Sequence, residues 1–170
     1  MAHSLTSRRI VVAIDGSAAS AAAVRWAVRE ARLREATVHL VCAHHDDTRM
    51  RASYALWPSM AAGDDGYAGA RAVLAAAEDL ARQDLPPDRL TTELADKLPV
   101  RALLDRSSGA EMLVLGSTRQ ACEPGQPPPA IDPVARDCLS LASCPVVIVG
   151  PDPGEPSVPA TTGSGRLARP

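Results

Sequence analysis

The stretch "RIVVAIDGSAASAAAVRWAVREARLREATVHLVCA", Arg9 to Ala43, decides the architecture. Arg9 to Asp15 is a short β-branched apolar run, the composition of a strand buried on both faces of a parallel sheet. Gly16 permits a tight turn after it, and Ser17 or Ser20 offers an N-cap to a helix. Ala23, Val24, Ala27, Val28 and Ala31 then recur at helical spacing, while Arg25, Arg29, Glu30 and Arg32 lie mostly elsewhere on the wheel. Thr37 to Ala43 returns to a strand pattern, so the stretch reads as strand, turn, amphipathic helix, strand.

The same rhythm continues outward. Gly69 to Gln83 is an Ala-rich helix, and Leu90 to Asp96 alternates apolar and polar residues like a strand nearer a sheet edge. Pro99 opens a short helix that runs to Ser108. "EMLVLGS" (Glu111 to Ser117) is a fourth strand, Asp132 to Ser143 a fourth helix and "PVVIVG" (Pro145 to Gly150) a fifth strand. Alternating strands and helices predict an α/β fold: one five-stranded parallel sheet with helices on both faces, joined by right-handed crossovers.

Two segments stand outside the rhythm. Residues 44–68 form a long connection, and its apolar Met50, Tyr54, Leu56, Trp57 and Met60 make it a candidate lid or subunit contact. Residues 151–170 are rich in Pro, Gly, Ser and Thr and are expected to be disordered, as are residues 1–7 to be flexible. One domain over residues 8–150 remains.

Composition narrows the function. With 170 residues, a formal charge of −2, no Phe and four aromatic residues, the chain lacks both the basic excess and the stacking surface that nucleic-acid binding uses. No apolar run approaches a membrane span and none resembles a signal-peptide core, so a cytoplasmic protein is expected. Cys42, Cys122, Cys138 and Cys144 show no C-x-x-C spacing and read as reduced thiols. "CAHHDD" (Cys42 to Asp47) gathers metal-capable side chains, but adjacent His44 and His45 point to opposite sides of a continued strand and no second cluster completes a site, so no metal is assigned. No nucleophile motif such as G-x-S-x-G supports a hydrolase, and no catalytic residue is assigned.

"IVVAIDGSAASAAAVRWA", "GAEMLVLGS" and "LASCPVVIVG" together resemble the universal stress protein family, and the resemblance runs from about Arg8 to Gly150. It implies a Rossmann-like five-stranded parallel sheet, a small cytoplasmic stress-linked protein and a homodimer paired through the last strand. It also implies where a nucleotide would lie: Asp15 matches a ribose-contacting position and Ala43 an adenine-contacting backbone position, with Gly16 in the turn between sheet and helix. The rule for open parallel sheets agrees, because ligands sit beyond the carboxyl ends of the strands at the topological switch point.

The phosphate side departs from the family. ATP-binding members carry G-x2-G-x9-G-[ST] after the fourth strand, glycines that let backbone N–H groups approach phosphates closely. Gly116 matches the first position and Ser117 follows it, but Arg119 replaces the second glycine and Asp132 with Pro133 stands where Gly and Ser or Thr belong. Pro127, Pro128, Pro129 and Pro133 have no N–H to donate. Asp132 followed by Pro133 reads as N-cap and first residue of the fourth helix, which puts a carboxylate at the end that would attract an anion. At roughly 5 Å and an effective dielectric of about 20, that carboxylate repels one phosphate charge by about 3 kcal/mol, roughly a hundredfold in affinity.

The expectation is therefore a non-catalytic stress-response binding protein with ATP binding lost or weakened, a vestigial nucleotide site at Asp15, Gly16, Ala43, Gly116, Ser117 and Arg119, and ATP or AMP as the cofactors to test. The rival is an ATP-binding, slowly hydrolysing switch that uses Arg119 and the inserted loop instead of glycines. A scaffold that recruits a protein partner through the lid and tail is a third reading.

Overall fold

A computed structural model describes residues 8–44, 64–117 and 131–150. Arg119, Cys122, the prolines at 127–129, His45 and most of the candidate lid, the first seven residues and the tail lie outside the described residues. The elements are β1 (Arg9–Ile14), α1 (Ala18–Arg34), β2 (Thr37–Ala43), α2 (Asp64–Arg82), a single 3-10 turn (Pro87–Arg89), β3 (Leu90–Ala95), α3 (Pro99–Ser107), β4 (Met112–Gly116), α4 (Pro133–Leu141) and β5 (Val146–Val149).

All four strand pairings are parallel and the order is β3-β2-β1-β4-β5. The chain moves from β1 outward to β3, then crosses back to β4 on the other side of β1. That reversal fixes which helices cover which face. Ile10, Val12, Val38 and Leu40 pack with Val24, Ala27 and Leu74 of α1 and α2, whereas Val11, Val41 and Leu113 pack with Ala102, Leu103, Val134 and Cys138 of α3 and α4. Ile10, Val11 and Val12 are all fully buried, so successive residues of β1 fill opposite cores and the apolar run needs no polar alternation. Burying one such side chain contributes about 1.5–3 kcal/mol, and these three sit at the sheet centre, where no solvent reaches either face.

The edge strand β3 is held differently. Glu93 accepts two hydrogen bonds of 2.6 Å from the Arg106 guanidinium on α3, and His39 Nε2 of β2 lies 3.3 Å from Glu93 Oε2. A charged network thus fastens β3 where it has a strand on only one side. Arg89 likewise donates to the carbonyls of Ala31 and Ala36, tying the start of β3 to the junction of α1 and β2.

One boundary corrects the sequence reading. The second helix begins at Asp64, not Gly69, so residues 64–68 belong to α2 and not to the connection assigned to 44–68. Gly66 and Gly69 lower intrinsic helix propensity there, but Ala70 and Leu74 are buried against the sheet and carry the helix back through them. Packing outweighs propensity in this turn.

Candidate functional site

The carboxyl ends of β1 and β4 lie side by side at the point where the strand order reverses. β1 ends in the turn Asp15–Gly16–Ser17. Asp15 Oδ1 accepts from the Ser17 backbone N–H at 2.9 Å and from Ser17 Oγ at 2.6 Å, and Ser17 Oγ accepts from the Ser20 N–H at 3.0 Å. Ser17, not Ser20, is therefore the N-cap of α1, and Asp15 holds that cap in place. Both bonds fall on one carboxylate oxygen, so the turn does not spend the second. Gly16 has φ +81°, and a Cβ there would come within 2.9 Å of the Val73 side chain of α2. Glycine is required twice over at that position, by backbone conformation and by the helix passing against it.

Gly116 has a structural reason of its own. A Cβ built on it would lie 2.3 Å from both the carbonyl carbon and oxygen of Ala19 and 2.6 Å from the Ser20 nitrogen. The first turn of α1 crosses directly over the end of β4, and only hydrogen fits between them. Gly116 thus has a packing reason whether or not it also opens a phosphate loop. Ser117 continues the ladder by donating its N–H to the Val149 carbonyl at 2.7 Å.

Ala43 offers a backbone acceptor. Thr37 donates its N–H to Arg8 on the β1 side and His44 donates to Ala95 on the β3 side, so by alternation the main-chain groups of Ala43 face β1. Cys42 is the last residue of β2 paired with β1, through Ile14, whereas β2 and β3 remain paired to Ala43 and Ala95. The Ala43 carbonyl therefore faces the space beyond Ile14, beside the Asp15 turn. Cys42 is buried beneath it; burial pushes its thiol up to about 11, and the charge of Asp15 adds to that. It is a neutral core residue.

On the β4–β5 side of the sheet, α4 starts as the Asp-Pro pair predicts. Asp132 Oδ1 accepts from the N–H groups of Val134 and Ala135 at 2.8 and 3.2 Å, with Pro133 at the first helical position. The free donors and positive dipole end that would hold an anion are engaged by the chain's own carboxylate.

The sequence reading missed one group. Tyr67 of α2 is half exposed, with its ring centroid 6.0 Å from that of His44 in an edge-on arrangement and the Arg71 guanidinium 5.9 Å over it. Tyr67, Ala70 and Leu74 share one helical stripe, a signal that becomes readable once the helix starts at Asp64. Among the described residues no group of three metal-capable side chains converges, and no helix is long and apolar enough to cross a membrane.

Comparisons with known proteins agree with this fold. The Universal stress protein family profile matches residues 6–150. A universal stress protein of Mycobacterium tuberculosis is 33% identical over 154 residues, covering 89% of this chain and 52% of the relative; the chain spans about half the length of the curated relatives it matches. Among solved structures, a universal stress protein from Archaeoglobus fulgidus in complex with dAMP superposes with a TM-score of 0.60 at 23% identity, covering 85% of this chain and 99% of that one. A family protein from Arabidopsis thaliana with AMP bound gives 0.58 at 14% identity, with 89% and 98% covered. The family profile extends over the sheet and the four described helices, and on that ground the chain belongs to the universal stress protein family.

Proposed function

We propose that this protein is a non-catalytic, stress-linked binding protein whose site keeps the nucleoside half and has lost the grip on a triphosphate. The observation that carries this reading is Asp132, whose carboxylate fills the N-terminus of α4. Asp15 and the Ala43 carbonyl supply a hydroxyl acceptor and a base-edge acceptor beyond β1, and relatives of the same fold are described in complex with dAMP and with AMP bound. The packing of α1 against Gly116 gives that glycine a reason independent of a phosphate loop, so its presence alone is no support for triphosphate binding.

Isothermal titration of the nucleotide-stripped protein with AMP and with magnesium ATP tests the reading. The expected result is measurable AMP binding with ATP no tighter. ATP binding tenfold tighter than AMP would establish the rival switch and overturn the proposal. Asp132→Asn supplies an internal control: asparagine caps as well as aspartate, so stability holds, while removal of the charge raises ATP affinity by about tenfold or more.

The same proposal includes a cytoplasmic homodimer. β5 ends the sheet, its four apolar residues are half-buried, and Leu139 and Leu141 of α4 are exposed. Such an edge is a template for a partner strand, and a second copy presents the same surface. A monomeric mass at tens of micromolar would contradict it.

A further inference from the structure

A nucleoside site needs a surface for the base as well as an acceptor for its edge, and α2 offers one. The helix runs back along the sheet with Ala70 and Leu74 buried against it. Tyr67 lies one turn earlier on the same stripe, so it continues past the sheet where β1 and β2 have already ended. Val73, packed against the Gly16 turn, fixes this end of α2 next to Asp15. His44, the residue after the Ala43 acceptor, meets the Tyr67 ring at 6.0 Å with an interplanar angle of 67°, and Arg71 stands over the ring. Tyr67 nonetheless keeps 51% of its surface exposed. An aromatic ring steadied by an imidazole and a guanidinium, half open to solvent and adjacent to a main-chain acceptor, has the makings of a stacking platform.

We propose that Tyr67, backed by His44, is the base-stacking surface of the site, and that the ligand it takes is a purine nucleoside or its monophosphate; this rests on the nucleoside reading of the Asp15 and Ala43 acceptors. The purine would lie on the Tyr67 ring with its exocyclic amine directed to the Ala43 carbonyl, an arrangement that uses no phosphate contact. Stacking depends on the aromatic ring and not on its hydroxyl, so phenylalanine should replace tyrosine there and leucine should not.

Wild-type protein, Tyr67→Leu, Tyr67→Phe and Asp15→Asn are titrated with adenosine, AMP and ribose 5-phosphate, each variant first checked by its melting temperature. The expected result is a loss of about tenfold for both adenosine and AMP in Tyr67→Leu, near-wild-type affinity in Tyr67→Phe, and ribose 5-phosphate binding that Tyr67→Leu leaves unmoved. Unchanged adenosine and AMP affinity in Tyr67→Leu, with a loss in Asp15→Asn, overturns the platform and leaves the nucleoside reading standing. An equal loss in Tyr67→Phe and Tyr67→Leu overturns stacking in favour of a hydroxyl contact. Absence of adenosine and AMP binding in the wild type overturns both.

Discussion

Gly116→Ala separates the two readings of the glycine at the end of β4. The added methyl would sit 2.3 Å from the Ala19 carbonyl group and 2.6 Å from the Ser20 nitrogen, against 3.4 Å or more for an ordinary contact, so the first turn of α1 must withdraw by about 1 Å. These are backbone atoms and no rotamer change relieves them. Because Ala22, Ala23 and Ala27 of the same helix are fully or almost fully buried, the displacement spreads into the main core. Overpacking of this kind costs typically 1–3 kcal/mol, and with rigid backbone on the receiving side the upper end, about 3 kcal/mol, is expected. That is a large fraction of the roughly 5–15 kcal/mol that stabilises a domain, and for a chain of this size it lowers the melting temperature by about 6–12 °C. The assay is urea unfolding of the nucleotide-free protein followed by far-UV circular dichroism, with the midpoint falling at unchanged slope. A glycine kept only for phosphate approach would leave the unliganded protein untouched. A Gly116→Ala midpoint within about 0.5 kcal/mol of wild type would therefore refute the packing argument.

Three further outcomes are expected. Glu35 closes α1 with φ 55°, a left-handed conformation that disfavours side chains, so Glu35→Gly should stabilise the protein by about 1 kcal/mol in the same urea assay; a loss would mean that the Glu35 side chain itself stabilises the helix end. Burial holds the His39 imidazole below its ordinary value of 6.5, with Arg9 and Arg106 acting the same way and Glu93 opposing. A histidine depressed in the folded state contributes stability that is present above pH 6.5 and lost as pH falls toward the folded value, so stability should decline from pH 7 to pH 5 and His39→Leu should flatten that slope. Burial pushes the thiols of Cys42 and Cys138 up to about 11, and alkylation at pH 8 read by mass spectrometry should leave both unmodified until denaturant is added.

The fold was legible because its signals are local and mutually consistent. Arg9 to Ala43 contains β-branched runs of strand length, a turn glycine and a serine cap, and each of these has one structural meaning that the next confirms. The start of α2 was not legible, since Gly66 and Gly69 argue against a helix and only the distant sheet surface that receives Ala70 and Leu74 argues for it. The local geometry around the candidate site was legible only in part, for a related reason. Asp132 followed by Pro133 is a cap signal written in two adjacent residues. Gly116 carries no mark of whether its bare Cα faces a phosphate or the backbone of Ala19, which is far away in the chain and brought near only by tertiary packing. The Tyr67, His44 and Arg71 grouping joins two elements that the sequence separates by the long connection, and spacing alone does not bring them together.

The strand order also has a consequence for synthesis. β1 is the centre of the finished sheet and precedes the other four strands of this domain in the chain, yet its second neighbour enters only when Ile10 meets Met112. At roughly 5–20 residues per second, about 100 residues of translation leave one side of the central strand unpaired for some 5–20 seconds. During that interval Val11 and Val12 lie beside an open ladder that any other extended apolar chain can join. That exposure ends when the "MLVLG" strand emerges and closes the middle of the sheet.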